Sequence, residues 1–268
     1  LVSGKKESLP QLIAVMEQTL FSLDVWFHSH GLKVNTGKTE LIVCGSRQNC
    51  RGMAPVTIRF REDMVRESPT VRNLGVVFDK YLTWDSHVSA LVKKCTGILI
   101  GLSHVRHQIP SSLLPIIVDA LVISHVRYCL AVFGNGSENN MQRLQKILNF
   151  CLRAVSGRRK FDHVSDVRDE LGWLTARQLY KLQSLNILHK IRCTNEPQVL
   201  DSQILANSEL RTRSTRQDTD LALPRVRTNA GKRRFLYEVT RLYNALPHDV
   251  RDMSLSSFKR HVGAFLEG

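Results

Sequence analysis

The sequence predicts an α+β protein, with one helix and short strands in its first 80 residues and a mostly α-helical remainder. Two patterns predict it: short β-branched or apolar runs broken by polar loops lie between residues 39 and 78, and from Trp84 onward apolar residues recur at three- and four-residue intervals. With 268 residues, 43% of them hydrophobic, the chain is long enough to bury one large core or two modest ones. Fifteen Gly and 8 Pro exclude a collagenous or low-complexity chain.

Ser8 is placed to cap a first helix in which Leu12, Ile13, Val15, Met16, Leu20, Leu23, Trp26 and Phe27 share helical spacing, and Gly31 ends it. Strands are predicted over 39–44, 56–60 and 71–78. Helices follow through Val88, Leu91, Cys95, Leu99 and Leu102, then over 113–128, with Gly134 and Gly136 as breakers. A third helix runs through Leu144, Ile147, Leu148, Cys151 and Leu152 to Gly157, and a fourth through Leu179, Leu182, Leu185, Leu188 and Ile191. From 196 to 229 the period fades into Ser, Thr, Asp, Arg and Pro, the composition of a linker or extended arm. Two closing helices, around Phe235–Tyr243 and Phe258 to Phe265, are split by Pro247.

The most apolar stretch, 113–133, carries Asp119, His125 and Arg127 with Pro115 near its start, short of the roughly 18 to 20 apolar residues of a membrane span. It reads as a core helix, and no membrane partner is expected. The chain opens Leu-Val-Ser-Gly-Lys-Lys with no signal-peptide pattern, as a piece of something longer would. Cysteines 44, 50, 95, 129, 151 and 193 are scattered without Cys-x-x-Cys or paired His spacing, which favours reduced, buried thiols and an intracellular protein.

Lys and Arg number 38 against 24 Asp and Glu, a net charge of +14 that attracts polyanions. The excess is local. Residues 1–141 are nearly balanced, whereas 142–193 hold 11 basic and 4 acidic groups and 207–268 hold 12 and 7. Arg143, Lys146 and Arg153 fall close to one face of the third helix, and Arg158, Arg159 and Lys160 follow at its negative dipole end. Either these form a solvated, capping face or they contact phosphates; the shared sign of the whole segment favours phosphates. Arg225, Arg227, Lys232, Arg233 and Arg234 form a second cluster with the same polyelectrolyte logic.

Enzymatic constellations fail. Gly37-Lys38-Thr39 lacks the first Gly of a phosphate loop and follows a helix where a strand is required. His28 and His30, and His104 and His107, lack further ligands at metal spacing. Asp162-His163 has no Gly-x-Ser-x-Gly partner, and Ser165 suits a helix cap instead. No Asp-Asp occurs, and the adjacent acids Glu62-Asp63 sit in a charged stretch before the third strand, so no carboxylate pair is placed to bridge two metals for phosphoryl transfer and no metal site is expected.

The run Trp26-Phe27-x-x-x-Gly31-Leu32-Lys33-Val34-Asn35-x-x-Lys38-Thr39-Glu40 resembles the segment that follows the catalytic Asp-Asp strand in reverse transcriptases of non-LTR (LINE-type, jockey-like) retrotransposons. Val71-Arg72-Asn73-Leu74-Gly75-Val76-x-x-Asp79-x-x-Leu82-Thr83-Trp84-x-x-His87 is similar to their primer-grip turn leading into the thumb. Leu144-Gln145-Lys146-x-x-Asn149, Leu171-Gly172-Trp173-Leu174, Leu223-Pro224-Arg225-Val226-Arg227-Thr228 and Asn244-x-Leu246-Pro247 are similar to the tail beyond it.

The resemblance implies the C-terminal part of a palm in 1–80, a helical thumb and connection in 81–193, a basic linker or arm in 194–229 and a helical tail in 230–268. It implies that Lys38 neutralises the leaving pyrophosphate, unless it pairs with Glu40 or solvent, and that Asn73, Leu74 and Gly75 press on the primer 3′ end, unless Gly75 is a simple hairpin glycine. Trp84 and Trp173 are expected in the core. The implied partners are an RNA template with its DNA primer and the upstream palm and fingers of the same polyprotein. The implied Mg2+ belongs to the full-length parent, whose catalytic aspartates would precede Leu1; this fragment is expected to bind nucleic acid without polymerising, and to reach the nucleus when the parent integrates. The alternatives are a domesticated, non-enzymatic nucleic-acid-binding protein and a non-functional remnant.

Overall fold

A computed structural model of the chain describes residues 1–210 and 220–267. The fold is α+β, with four short strands in two hairpins, and divides into two units, Leu1–His87 and Val88–Gly268. The division falls seven residues beyond the boundary at residue 80 drawn from sequence.

In the first unit, Pro10 in the opening turn starts helix α1 (Leu9–Ser29). Ser8 does not cap it through its side chain; a 3-10 turn over Lys6–Ser8 leads in instead. One stripe of α1, namely Leu9, Ile13, Met16 and Leu20, packs on Val56, Ile58, Phe60 and Val65. Val15, Leu23 and Trp26, expected on that face, are about half exposed, because α1 is apolar on more than one side and only one side meets the sheet. The sheet is the antiparallel hairpin of β1 (Thr57–Phe60) and β2 (Asp63–Arg66). Strand β2 escapes the sequence pattern because only Val65 among its four residues faces inward. Its turn is held by Arg61, whose φ is 57°: Nε lies 2.8 Å from Asp24 Oδ2 on α1, and Nη2 pairs with the other oxygen. The predicted strand 39–44 contributes only a bridge between Leu41 and Glu67.

The predicted strand 71–78 is a second hairpin, β3 (Thr70–Asn73) and β4 (Val76–Asp79). Leu74 and Gly75, at φ 46° and 84°, form the two-residue turn, and positive φ at both positions matches the twist of paired strands. Asp79 then organises the exit. Its carboxylate accepts from the backbone N–H groups of Tyr81, Thr83 and Trp84 at 3.1, 3.0 and 2.7 Å. Burial alone would raise the carboxyl pKa, but these bonds outweigh it and hold the group below the usual range. Trp84 is buried edge-on against Phe78.

Helix α2 (Asp85–Val105) carries the chain into the second unit, where Val88, Leu91, Cys95, Leu99 and Leu102 form its buried stripe. Asp85–Gln108 is long and apolar enough to cross a membrane by length and composition. Lys93 and Lys94 are exposed away from the buried stripe, the pattern of a one-sided helix.

The stretch expected as one helix over 113–128 is broken. Short helices over Leu114–Val118 and Ser124–Arg127 flank a π-helical turn over Asp119–Ile123, and Cys129, at φ 55°, redirects the chain into Leu130–Phe133. Val118, Val122, Val126 and Leu130 are all fully buried. A spacing of four drifts around a regular helix, and the wider π turn absorbs the drift.

Helix α3 (Glu138–Ser156) starts at Ser137, whose hydroxyl accepts the Asn140 N–H, and stops at Gly157 with φ 76°. Helix α4 (Ala176–Thr194) begins with a reciprocal capping box of Thr175 and Gln178. Between them Leu152, Val164, Val167, Leu171 and Trp173 form a small cluster, with Trp173 packed as expected. Ser165 opens the helix Ser165–Glu170 without a capping bond, contrary to expectation.

Helices α5 (Phe235–Asn244) and α6 (Leu255–Glu267) lie against α4. Leu185, Leu188, Val239, Tyr243, Leu246, Phe258 and Val262 share one core with Leu221, so the tail is not a separate body. The segment expected as a linker is tied to it: the Asn244 amide donates to the Leu221 carbonyl (2.8 Å) and accepts its N–H (3.0 Å). Asp220 pairs with the buried Arg251. The middle of that segment, 211–219, lies outside the described residues. All six cysteines are free, but only Cys50, Cys95 and Cys151 are buried; Cys44 and Cys193 are exposed and Cys129 is intermediate.

His189 sits inside this core, stacked on Phe258 at 3.8 Å and bonded through Nε2 to the Met253 carbonyl. Burial depresses its pKa, with the Arg192 charge adding to the effect. The unfolded ring titrates near about 6.5. Below that pH the unfolded state binds the extra proton, so His189 favours folding fully above it and progressively less as pH falls. The thermal midpoint is expected to drop between pH 7.5 and 5.5, and H189Q is expected to reduce the drop. An equal drop in the variant would assign the effect elsewhere, for instance to His87, which is also depressed by burial.

Candidate nucleic-acid interface

In the first unit Lys38 ends a 3-10 turn, Thr36–Lys38, whose geometry is set by Asn35: its side chain accepts the Lys38 N–H and its carbonyl accepts the Thr39 hydroxyl. The Lys38 side chain is exposed and, among the described residues, pairs with neither Glu40 nor any other carboxylate. It is a solvent-facing cation on a fixed turn.

Asn73, Leu74 and Gly75 lie together at the tip of the second hairpin. Leu74 is 81% exposed. An apolar side chain at positive φ costs backbone energy and returns little burial, the combination found where a side chain is held out for contact. L74N supplies the residue this turn type favours, and is expected to raise the unfolding free energy by about 1 kcal/mol in chemical denaturation. A loss of stability would show that Leu74 packs in the folded unit.

In the second unit the first basic cluster splits by role. Arg143 bonds Ser89 Oγ at 3.0 Å and Asn140 Oδ1 at 3.3 Å. Arg153 donates through Nε and Nη2 to the Asp162 carbonyl. Arg158 grips the Asp166 carboxylate with both terminal nitrogens and also reaches the His163 carbonyl; its hydrogen bonds, with a smaller contribution from its charge, hold the Asp166 pKa down to about 2. These three guanidinium groups are occupied within the fold. Lys146, Arg159 and Lys160 are exposed, and none has a carboxylate partner among the described residues.

The second cluster is uniform. Arg225, Arg227, Lys232, Arg233 and Arg234 are all exposed, and among the described residues none of their side chains meets an acid. Their backbone is anchored: Leu221 by Asn244, and the Arg233 carbonyl by Asn135 Nδ2 at 2.6 Å. A Cβ on Gly231 would stand 3.0 Å from Val226 Cβ, so Gly permits the close fold-back of this arm. The result is five cations on a fixed segment, which fits a polyanion without the ordering cost of a free tail.

Sequence reasoning missed Phe161, 86% exposed beside Arg159 and Lys160. A lone Phe after three basic residues carries no periodic signal; only its position in the fold shows that it stays exposed.

Compared with protein-family models, curated proteins and solved structures, the chain matches none. Among the described residues no group of three or more His, Cys, Asp or Glu is placed to hold a metal ion.

Proposed function

We propose that the chain is a nucleic-acid-binding C-terminal portion of an RNA-directed DNA polymerase of the non-LTR retrotransposon type. Residues 1–80 complete a palm, 81–193 form the thumb and connection, and the following arm and tail track the primer–template duplex. The observation that carries the binding is the anchored arm with Arg225, Arg227, Lys232, Arg233 and Arg234 exposed and, among the described residues, without acidic partners. Phosphate contacts carry no sequence information, as a polymerase that copies any template requires. The exposed Leu74 tip supports the primer-contact role of Asn73, Leu74 and Gly75, and the exposed Lys38, without a carboxylate partner among the described residues, supports a role beside a pyrophosphate. The catalytic aspartates are assigned to an upstream segment, and this portion alone binds without extending a primer.

Two measurements test it. Translation of the transcript upstream of Leu1 is expected to give an in-frame palm ending in Asp-Asp; a stop codon or an unrelated exon overturns the polymerase parentage. Titration with a labelled RNA–DNA hybrid is expected to show affinity that falls steeply with salt, and a salt-insensitive affinity overturns the phosphate-binding role.

A further inference from the structure

The chain leaving α3 forms a β-turn that is bonded at every position except its corners. The Asp162 N–H donates to the Arg159 carbonyl at 3.1 Å, and the Asp162 carboxylate accepts the Arg159 N–H at 2.7 Å. Arg153 holds the Asp162 carbonyl through two bonds at 3.0 and 3.3 Å, and Arg158 holds the next carbonyl, that of His163. The two arginines nearest the turn thus serve as its scaffold. What they hold out is the corner pair, Lys160 and Phe161.

Phe161 buries almost none of its ring. Exposed singly, an apolar side chain needs no explanation; fixed on a braced turn directly after two exposed cations, it does. The Lys160 ammonium lies 5.3 Å from the ring centroid, a cation–π contact that holds the lysine beside the ring. Arg159, at the first position of the turn, is exposed as well. Asp162 accepts the Arg159 amide and Asp166 pairs with Arg158, and among the described residues neither Arg159 nor Lys160 forms an ion pair of its own. An exposed aromatic ring next to exposed cations is a combination that can receive a flat ring attached to a phosphate chain.

We infer that Phe161 stacks on an unpaired or terminal base of a nucleic acid strand whose neighbouring phosphates are held by Arg159 and Lys160. The inference rests on the proposed nucleic-acid binding and deepens it. A base inside a duplex is sandwiched by its neighbours and offers no face to a ring standing on a turn, so the site selects a strand end, a loop or a single strand.

The test is fluorescence anisotropy with a labelled single-stranded DNA oligonucleotide across a salt series, using the full chain. F161A is expected to bind about tenfold more weakly with an unchanged salt slope, since stacking releases no counterion. F161W is expected to keep wild-type affinity and to show tryptophan quenching on binding beyond that of the parent chain. The double variant R159A/K160A is expected to flatten the slope by roughly 1.4, from about 0.7 per phosphate on a single strand. If F161A binds like the parent while the parent remains salt-dependent, stacking is overturned and the broader binding stands. If the parent shows no salt-dependent binding, both fall. Phe161 and Lys160 make no core contact, so loss of folding does not confound the comparison; circular dichroism of each variant checks this.

Discussion

Replacing Arg225, Arg227, Lys232, Arg233 and Arg234 together by Gln is expected to weaken binding to an RNA–DNA hybrid on the order of a thousandfold at physiological salt, with the slope of log affinity against log salt flattened by about 4.5. The size follows from counterion release at roughly 0.9 per phosphate contact for a duplex, summed over five contacts. Stability is expected to change little, because these side chains are exposed and unpaired among the described residues. Gln keeps length and polarity, so the loss isolates charge. R158Q is the contrasting variant. Arg158 already spends its charge on Asp166 and the His163 carbonyl, so its loss is expected to loosen the turn after α3 and leave the slope nearly unchanged. Equal slopes for the five-fold variant and the parent would remove the arm from the interface. A large slope change for R158Q would show that the ion pair opens onto phosphate.

The difference between these arginines marks where sequence stops informing. Helices α3 and α4 were legible because their apolar periods are regular, and the stop read for α3, Gly157, occupies a positive-φ position. Strand β2 was not, since a two-stranded sheet with one covered face needs only Val65. The break at Cys129 was hidden by an apolar run that reads equally well as one helix. At the candidate site, charge clustering marked the basic segments, but charge does not say whether a guanidinium faces solvent or a carbonyl two turns away. Asp162 and Asp166 decide that for Arg153 and Arg158, and their pairing is a property of the folded turn. The arm was read as a linker because its few apolar residues are aperiodic; Leu221, clamped by Asn244, and the Asp220–Arg251 pair tie it to the core.

Phe258→Ala is expected to produce the largest loss of stability, about 3 to 5 kcal/mol for a fully buried ring. For a unit of this size that corresponds to a fall in Tm of roughly 8 to 16 °C. Phe258 stacks flat on His189, with an interplanar angle of 10°, and also meets Tyr243. Its removal opens a cavity at the point where α4, α5 and α6 meet, and leaves a polar imidazole facing a void. The same core holds Leu221, so the consequence reaches the arm. With the anchor loosened, the arginines keep their charge and the salt slope is expected to persist, while affinity falls because ordering the arm is now charged to binding. F258L, which refills part of the cavity, is expected to recover part of both losses. Thermal denaturation and hybrid titration of the same two variants check this together: lowered Tm with unchanged affinity would show that the arm is positioned independently of the core, and an unchanged Tm would contradict the packing itself.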